Sequence, residues 1–181
     1  MKFIDPHKDL WHTLGGEDGP AACINPVPHL LLSVEQWHAF RAQWPEGMPV
    51  GVSLANDAEV KEIAADLPRL ALVVLNFPKW VDGRAYSQAH TLRNRYRFRG
   101  EIRATGEALV DMVLLMKRSG FDSVALRADQ SLEAAHRALT FFPGFYQGDA
   151  VDPEPLFAKP AGTGDALARA QEEFLHAGAS I

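Results

Sequence analysis

The chain is short of the residues that usually carry chemistry. Its 181 residues include one cysteine, Cys23. A lone thiol cannot close an internal disulfide, form a CxxC redox pair or hold an iron–sulfur cluster. Cys23 follows Ala21 and Ala22 and precedes Ile24, which reads as a small apolar packing residue rather than a nucleophile. No apolar run approaches the roughly 20 residues needed to cross a bilayer. The start, Met1-Lys2-Phe3-Ile4-Asp5, lacks the apolar core of a signal peptide, so the expected location is cytoplasmic, with no membrane partner. A GxGxxG fingerprint, a phosphate-binding P-loop and a GxSxG elbow are all missing, which disfavours a self-contained nicotinamide or flavin enzyme of the common kinds and leaves any cofactor unspecified. None of the histidines pair as HxH or HExxH; His7 between Asp5 and Asp9 is the nearest thing to a metal cluster, and it is too weak for a metal to be expected. An excess of positive charge is also lacking. The net charge of −5 gives no bulk attraction to nucleic acid or anionic lipid.

What is present is a core and a rhythm. Hydrophobic residues make up 47% and charged residues 23%, enough for a packed interior. We expect one α/β domain over residues 1–163 and a C-terminal helix or tail over 164–181. After a turn-rich start (Gly15-Gly16-Glu17-Asp18-Gly19-Pro20), five short apolar runs begin near residues 29, 50, 70, 101 and 123, each followed by a helical pattern. Ser33-Val34-Glu35-Gln36 has the form of a capping box, and Ser131 precedes another helix. Asn56 and Thr105 are further candidate caps, Pro68 a helix stop, and Gly120 a helix end. A spacing of about 20–30 residues between strands fits right-handed crossovers and a mainly parallel sheet built from repeated βα units. In Glu101-Ile102-Arg103-Ala104 the two charged residues share one face. A strand with one polar face suits the interior of a partial or distorted barrel better than an open doubly wound sheet, whose strands are apolar on both faces.

Ligands of parallel α/β folds sit at the carboxyl ends of the strands. The sequence sends cations there from three different strands. Lys79 and Arg84 follow the strand near residue 70, with Arg103 and Arg127 at the ends of the next two. Guanidinium groups suit carboxylate, phosphate, sulfate or sulfite, so this edge is a candidate site for a small anionic ligand. Tyr86 and Ser87 open the next helix and add hydroxyls, while Asp82 and Glu101 are the candidate general bases if the protein is an enzyme. Salt bridges of purely structural purpose, Arg103 with Glu101 and Arg84 with Asp82, are the competing reading. Trp80 reads as a packing residue.

The stretch Phe77-Pro78-Lys79-Trp80-Val81-Asp82-Gly83-Arg84-Ala85-Tyr86-Ser87-Gln88-Ala89 is followed by Leu92-Arg93, by Gly100-Glu101-Ile102-Arg103-Ala104-Thr105-Gly106 and by Arg118-Ser119-Gly120-Phe121-Asp122. Together these motifs, in order and spread over residues 30–148, resemble the bacterial domain-of-unknown-function family 934. The resemblance implies a role beside assimilatory sulfite reductase, as an accessory or partner protein. Some such proteins are labelled probable oxidoreductases, a label that no redox-cofactor motif in this chain supports. Where that family often has Gln and Cys, this chain has Met112 and Ser119. Three readings therefore stand: a partner of sulfite reductase, a small enzyme on an anionic substrate, or a non-catalytic binding module.

Overall fold

A computed structural model describes residues 1–13, 25–142 and 144–178. The expected turn at 15–20 and Cys23 lie outside the described residues. The strands are β1 (Lys2–Phe3), β2 (His12–Thr13), β3 (Leu30–Ser33), β4 (Val50–Leu54), β5 (Leu72–Phe77), β6 (Glu101–Gly106) and β7 (Ser123–Val124). All pair in parallel, in the order β1-β7-β6-β5-β4-β3-β2, and the sheet curls into a half-barrel. The α-helices are α1 (Val34–Phe40), α2 (Arg84–His90), α3 (Val113–Ser119), α4 (Leu132–Thr140) and α5 (Thr163–Gly178). The five expected strand–helix units are β3 to β7, each with the segment that follows it.

Register separates the two faces of the sheet. Leu30, Leu32, Val50, Val52, Leu54, Val73, Leu75, Phe77, Ile102, Ala104 and Val124 join the helices in one buried core. Each fully buried aliphatic side chain there contributes roughly 1.5–3 kcal/mol relative to exposure. The alternate residues line the concave side. There Gly51 sits level with Leu72 and Glu101, Ser33 with Ser53, Val74 with Arg103, Arg103 with Ser123, and Asn76 with Thr105. The polar face foreseen for β6 is thus the inside of the half-barrel.

Local chemistry explains most of the boundaries. Ser33 Oγ accepts from the Gln36 amide at 3.2 Å while Gln36 Oε1 accepts from the Ser33 amide at 2.9 Å, a complete capping box at α1. Ser131 Oγ caps α4 from the Ala134 amide. Gly120 ends α3 with φ +101, a conformation glycine adopts without strain.

Other expected signals failed for identifiable reasons. Asn56 is no cap. Its amide donates to Asp82 across the carboxyl edge, and the following segment, Val60–Arg69, is a 3₁₀ helix whose Glu62 carboxylate accepts the Glu59 amide. Pro68 lies inside that helix rather than stopping it. Thr105 stays in β6; α3 starts only at Val113, after a 3₁₀ turn at Val110–Met112 whose first amide donates to Gln130 Oε1.

The first thirteen residues supply both edges of the sheet. β1 joins β7 on one side and β2 joins β3 on the other. Residues 4–11 therefore run as a strap over the concave side. Trp11 packs over Gly51, where an added Cβ would come 2.9 Å from its ring, and stacks edge-on with His29.

Candidate functional site

Under the strap lies a charged cluster. Arg103 projects from β6 into the half-barrel, with its side chain 5% exposed. It donates to Glu101 Oε1 at 2.9 and 3.0 Å, to Ser123 Oγ at 3.3 Å and to Asp9 of the strap. Ser123 Oγ in turn donates to Glu101 Oε1. A guanidinium withdrawn from water is tolerable only when carboxylates and hydroxyls replace its hydration, and here each of its three nitrogens has such a partner.

The carboxyl edge carries the other expected residues. Arg84 clasps Asp82 with Nε at 3.0 Å and Nη2 at 2.7 Å, and Asn56 donates to the same carboxylate at 2.7 Å. These contacts, led by the Arg84 guanidinium, hold the Asp82 pKa down at about 2. Arg127 meets Glu107 at 2.5 Å and Asp129 at 2.6 Å; Asp129 is likewise lowered to about 2 by Arg127. Lys79 and Ser87 are exposed, and Lys79 has no carboxylate partner among the described residues. Tyr86 is half-buried against Phe77 and Phe121, and burial raises its phenol pKa. The two pairs named as the competing reading, Arg84 with Asp82 and Arg103 with Glu101, both form. The structure does not gather Arg103 with Arg84: one lies inside the half-barrel, the other on its rim. Trp80 is 59% exposed and belongs to no core, because the loop after Pro78 carries it beyond the helices.

A cavity of about 470 Å³ opens at the carboxyl end of the concave face, lined among others by Ser33, Ser53, Asn76, Thr105, Glu35 and Glu62. Ser33 is committed to its cap and to Glu35, whose carboxyl pKa it lowers by hydrogen bonding. Ser53, Asn76 and Thr105 are half-buried, and their side chains make no hydrogen bond among the described residues. Ser53 and Asn76 were not foreseen as site residues, and Thr105 was placed at this edge only as a helix cap beside Arg103. The signal was present, since Ser53 and Asn76 are lone polar residues near the ends of apolar strands and Thr105 continues the polar face of Glu101 and Arg103. Gly106 abuts this group: it has φ +86, and a Cβ there would fall 2.4 Å from both Phe77 O and Asn76 Oδ1. Among the described residues no three His, Cys, Asp or Glu side chains are arranged to hold a metal ion.

A parallel half-barrel with helices on its convex side and a polar mouth at the carboxyl ends of its strands defines an α/β protein with a partial-barrel sheet. The chain belongs to a family described as bacterial protein of unknown function (DUF934), whose model matches residues 51–157. That span runs from β4 through Phe157, and so includes Ser53, Asn76, Thr105 and the charged residues of β6. No curated protein matches the chain. No helix among the described residues is long and apolar enough to cross a membrane.

Proposed function

We propose that this protein is a non-enzymatic accessory of assimilatory sulfite reduction that binds a small polar or anionic ligand at the carboxyl end of its half-barrel. The observation that carries the ligand part is the trio Ser53, Asn76 and Thr105, whose hydrogen-bonding groups face a cavity without partners. Polar groups that reach a cavity and are committed to no partner among the described residues are available to hydrogen-bond a ligand in place of water. Lys79, Arg84 and the half-buried Arg127 supply positive charge on the same edge, outside the cavity lining, and a ligand anion there competes with Asp82 for Arg84. The pathway part rests on the resemblance of the motifs between Phe77 and Asp122. An enzymatic reading with Asp82 as general base is the weaker one. A carboxylate held at about 2 has little pull on a proton near neutral pH.

Two measurements test this. A deletion strain is grown on sulfate, sulfite, sulfide or cysteine as sole sulfur source; growth restored by sulfide and cysteine but not by sulfite supports the pathway, and unimpaired growth on all four removes it. Amide shifts of the purified protein are followed during titration with sulfite, sulfate and chloride at matched ionic strength. Saturable shifts at Ser53, Asn76 and Thr105 with sulfite or sulfate support the site; identical responses to all three salts sink it.

A further inference from the structure

The arginine-rich stretch splits into groups with different fates. Arg93 is structural: its guanidinium donates to the carbonyls of Phe98, Gly100 and Gly120 and pairs with Asp122. Arg95, Arg97 and Arg99 are exposed, and none of them has a carboxylate partner among the described residues. Every other arginine of the stretch from Arg84 to Arg103 has one. Arg95 ends the helix, and Arg97 and Arg99 sit on the loop that leads from it into the amino end of β6, opposite the carboxyl-end cavity.

This loop is held rigidly. The helix ends in a π turn at Thr91–Arg95, the Phe98 amide returns to Leu92 O at 2.9 Å, and the Phe98 ring is buried. Arg97 occupies the left-handed turn position with φ +55. Glycine is the inexpensive residue at such a helix end, so an exposed arginine there incurs backbone strain that packing does not explain. Beside it lies a groove of about 390 Å³, with Leu67, Pro68 and Phe98 as its apolar part and Arg97 and Arg99 as its cationic part.

We propose that this loop and groove form a docking surface for an acidic segment of a partner protein, one that inserts an apolar side chain between Pro68 and Phe98 and lays its carboxylates on Arg95, Arg97 and Arg99. The charge pattern argues for such an occupant. The protein as a whole is at −5, so a group of three guanidiniums without carboxylate partners among the described residues, Arg95 of them lying over the Tyr96 ring, is a local attractor that orients an acidic partner, while the remaining surface repels it elsewhere. Arginine on a rigid frame beside an apolar recess is the composition of an interface anchor. A nucleic acid fits less well, because three charges on a net-acidic protein give little phosphate-driven affinity. The inference does not depend on the sulfite-reduction reading.

The test uses the full chain and a fluorescent library of heptapeptides rich in Asp and Glu with a central Leu or Phe, against the same peptides with central Ser. Saturable binding that falls roughly tenfold or more on removing the apolar centre, and weakens with added salt, is expected. Arg95→Gln/Arg99→Gln abolishes it. Arg97→Gly is the decisive variant: it relieves the left-handed backbone, so the thermal midpoint holds or rises, while peptide binding drops. Overturning results are no binding by any peptide, binding unaffected by the arginine substitutions, or an equal response of the loop amides to inorganic sulfate alone. Tighter binding of a single-stranded oligonucleotide, or self-association at the same loop, equally rejects an acidic protein partner.

Discussion

Asp9 and Arg103 are 94 positions apart in sequence and form an ion pair inside the half-barrel. The pair ties the N-terminal strap to the interior strand β6, and with it the two edge strands that the strap joins. Its strength comes from its surroundings, since the Arg103 side chain is 5% exposed and has only Glu101, Ser123 and Asp9 to replace water.

Removing one partner should therefore cost more than a surface salt bridge would. Arg103→Ala leaves Asp9 and Glu101 facing each other and is expected to lose about 3–5 kcal/mol; Asp9→Asn, which keeps Glu101 opposite Arg103, should lose about 1–3 kcal/mol. Urea unfolding measures both. Equal, near-zero losses would mean that the strap contributes nothing to the fold.

At the cavity the expectation is reversed. The Asn76 side chain has no hydrogen-bond partner among the described residues, so Asn76→Leu should change stability by less than about 0.5 kcal/mol. The same change fills the mouth with an apolar side chain and should abolish the sulfite- or sulfate-induced shifts at Ser53 and Thr105. A large stability loss in thermal unfolding would show that Asn76 is structural.

Gly106, beside Asn76, tolerates no side chain. Its left-handed φ and the 2.4 Å approach of a Cβ to Phe77 O mean that the backbone must move, so Gly106→Ala is expected to cost about 1–3 kcal/mol. Chemical denaturation of the variant decides this, and a neutral result would mean that the end of β6 is free to rearrange.

Acid titration tests the carboxyl edge. The Asp82 carboxyl falls from its ordinary 3.8 to about 2, chiefly through the Arg84 guanidinium. A carboxyl depressed on folding stabilises the native state above its unfolded pKa. The contribution of Asp82 is therefore complete above about pH 4 and fades as pH drops towards about 2. In Arg84→Gln the carbon-13 shift of the Asp82 carboxyl should titrate closer to 3.8, and the stability slope across that window should flatten. An unmoved midpoint would mean that Arg84 does not hold Asp82 in solution.

Much of the architecture was legible in the sequence because it is written locally. Alternating apolar residues, capping serines and the Gly120 helix end located β3 to β7 and the units after them, and the shared face of Glu101 and Arg103 pointed to a half-barrel interior. Two-residue strands such as β2 carry no pattern of their own; His12 and Thr13 become a strand only because β3 offers an edge. Asn56 and Thr105 looked like caps because local sequence does not show that Asp82 recruits Asn56 or that Gly106 ends β6 with its own turn.

The site divides in the same way. Composition and strand order placed cations near the carboxyl edge, since charge and chain position are properties of sequence. Which guanidiniums are paired, which is buried and which are displayed depends on contacts between distant segments. Arg103 was assigned to the edge with Arg84, but the pleat and the strap turn it inward onto Asp9. Ser53, Asn76 and Thr105 come from three strands and meet only through sheet register. The sequence by itself determined the α/β rhythm, the acidic balance and the supply of arginines, because these follow from local periodicity and residue chemistry. Only the tertiary structure decided which polar groups lack partners, because pairing is settled by which residues the curled sheet and its strap bring within hydrogen-bond reach.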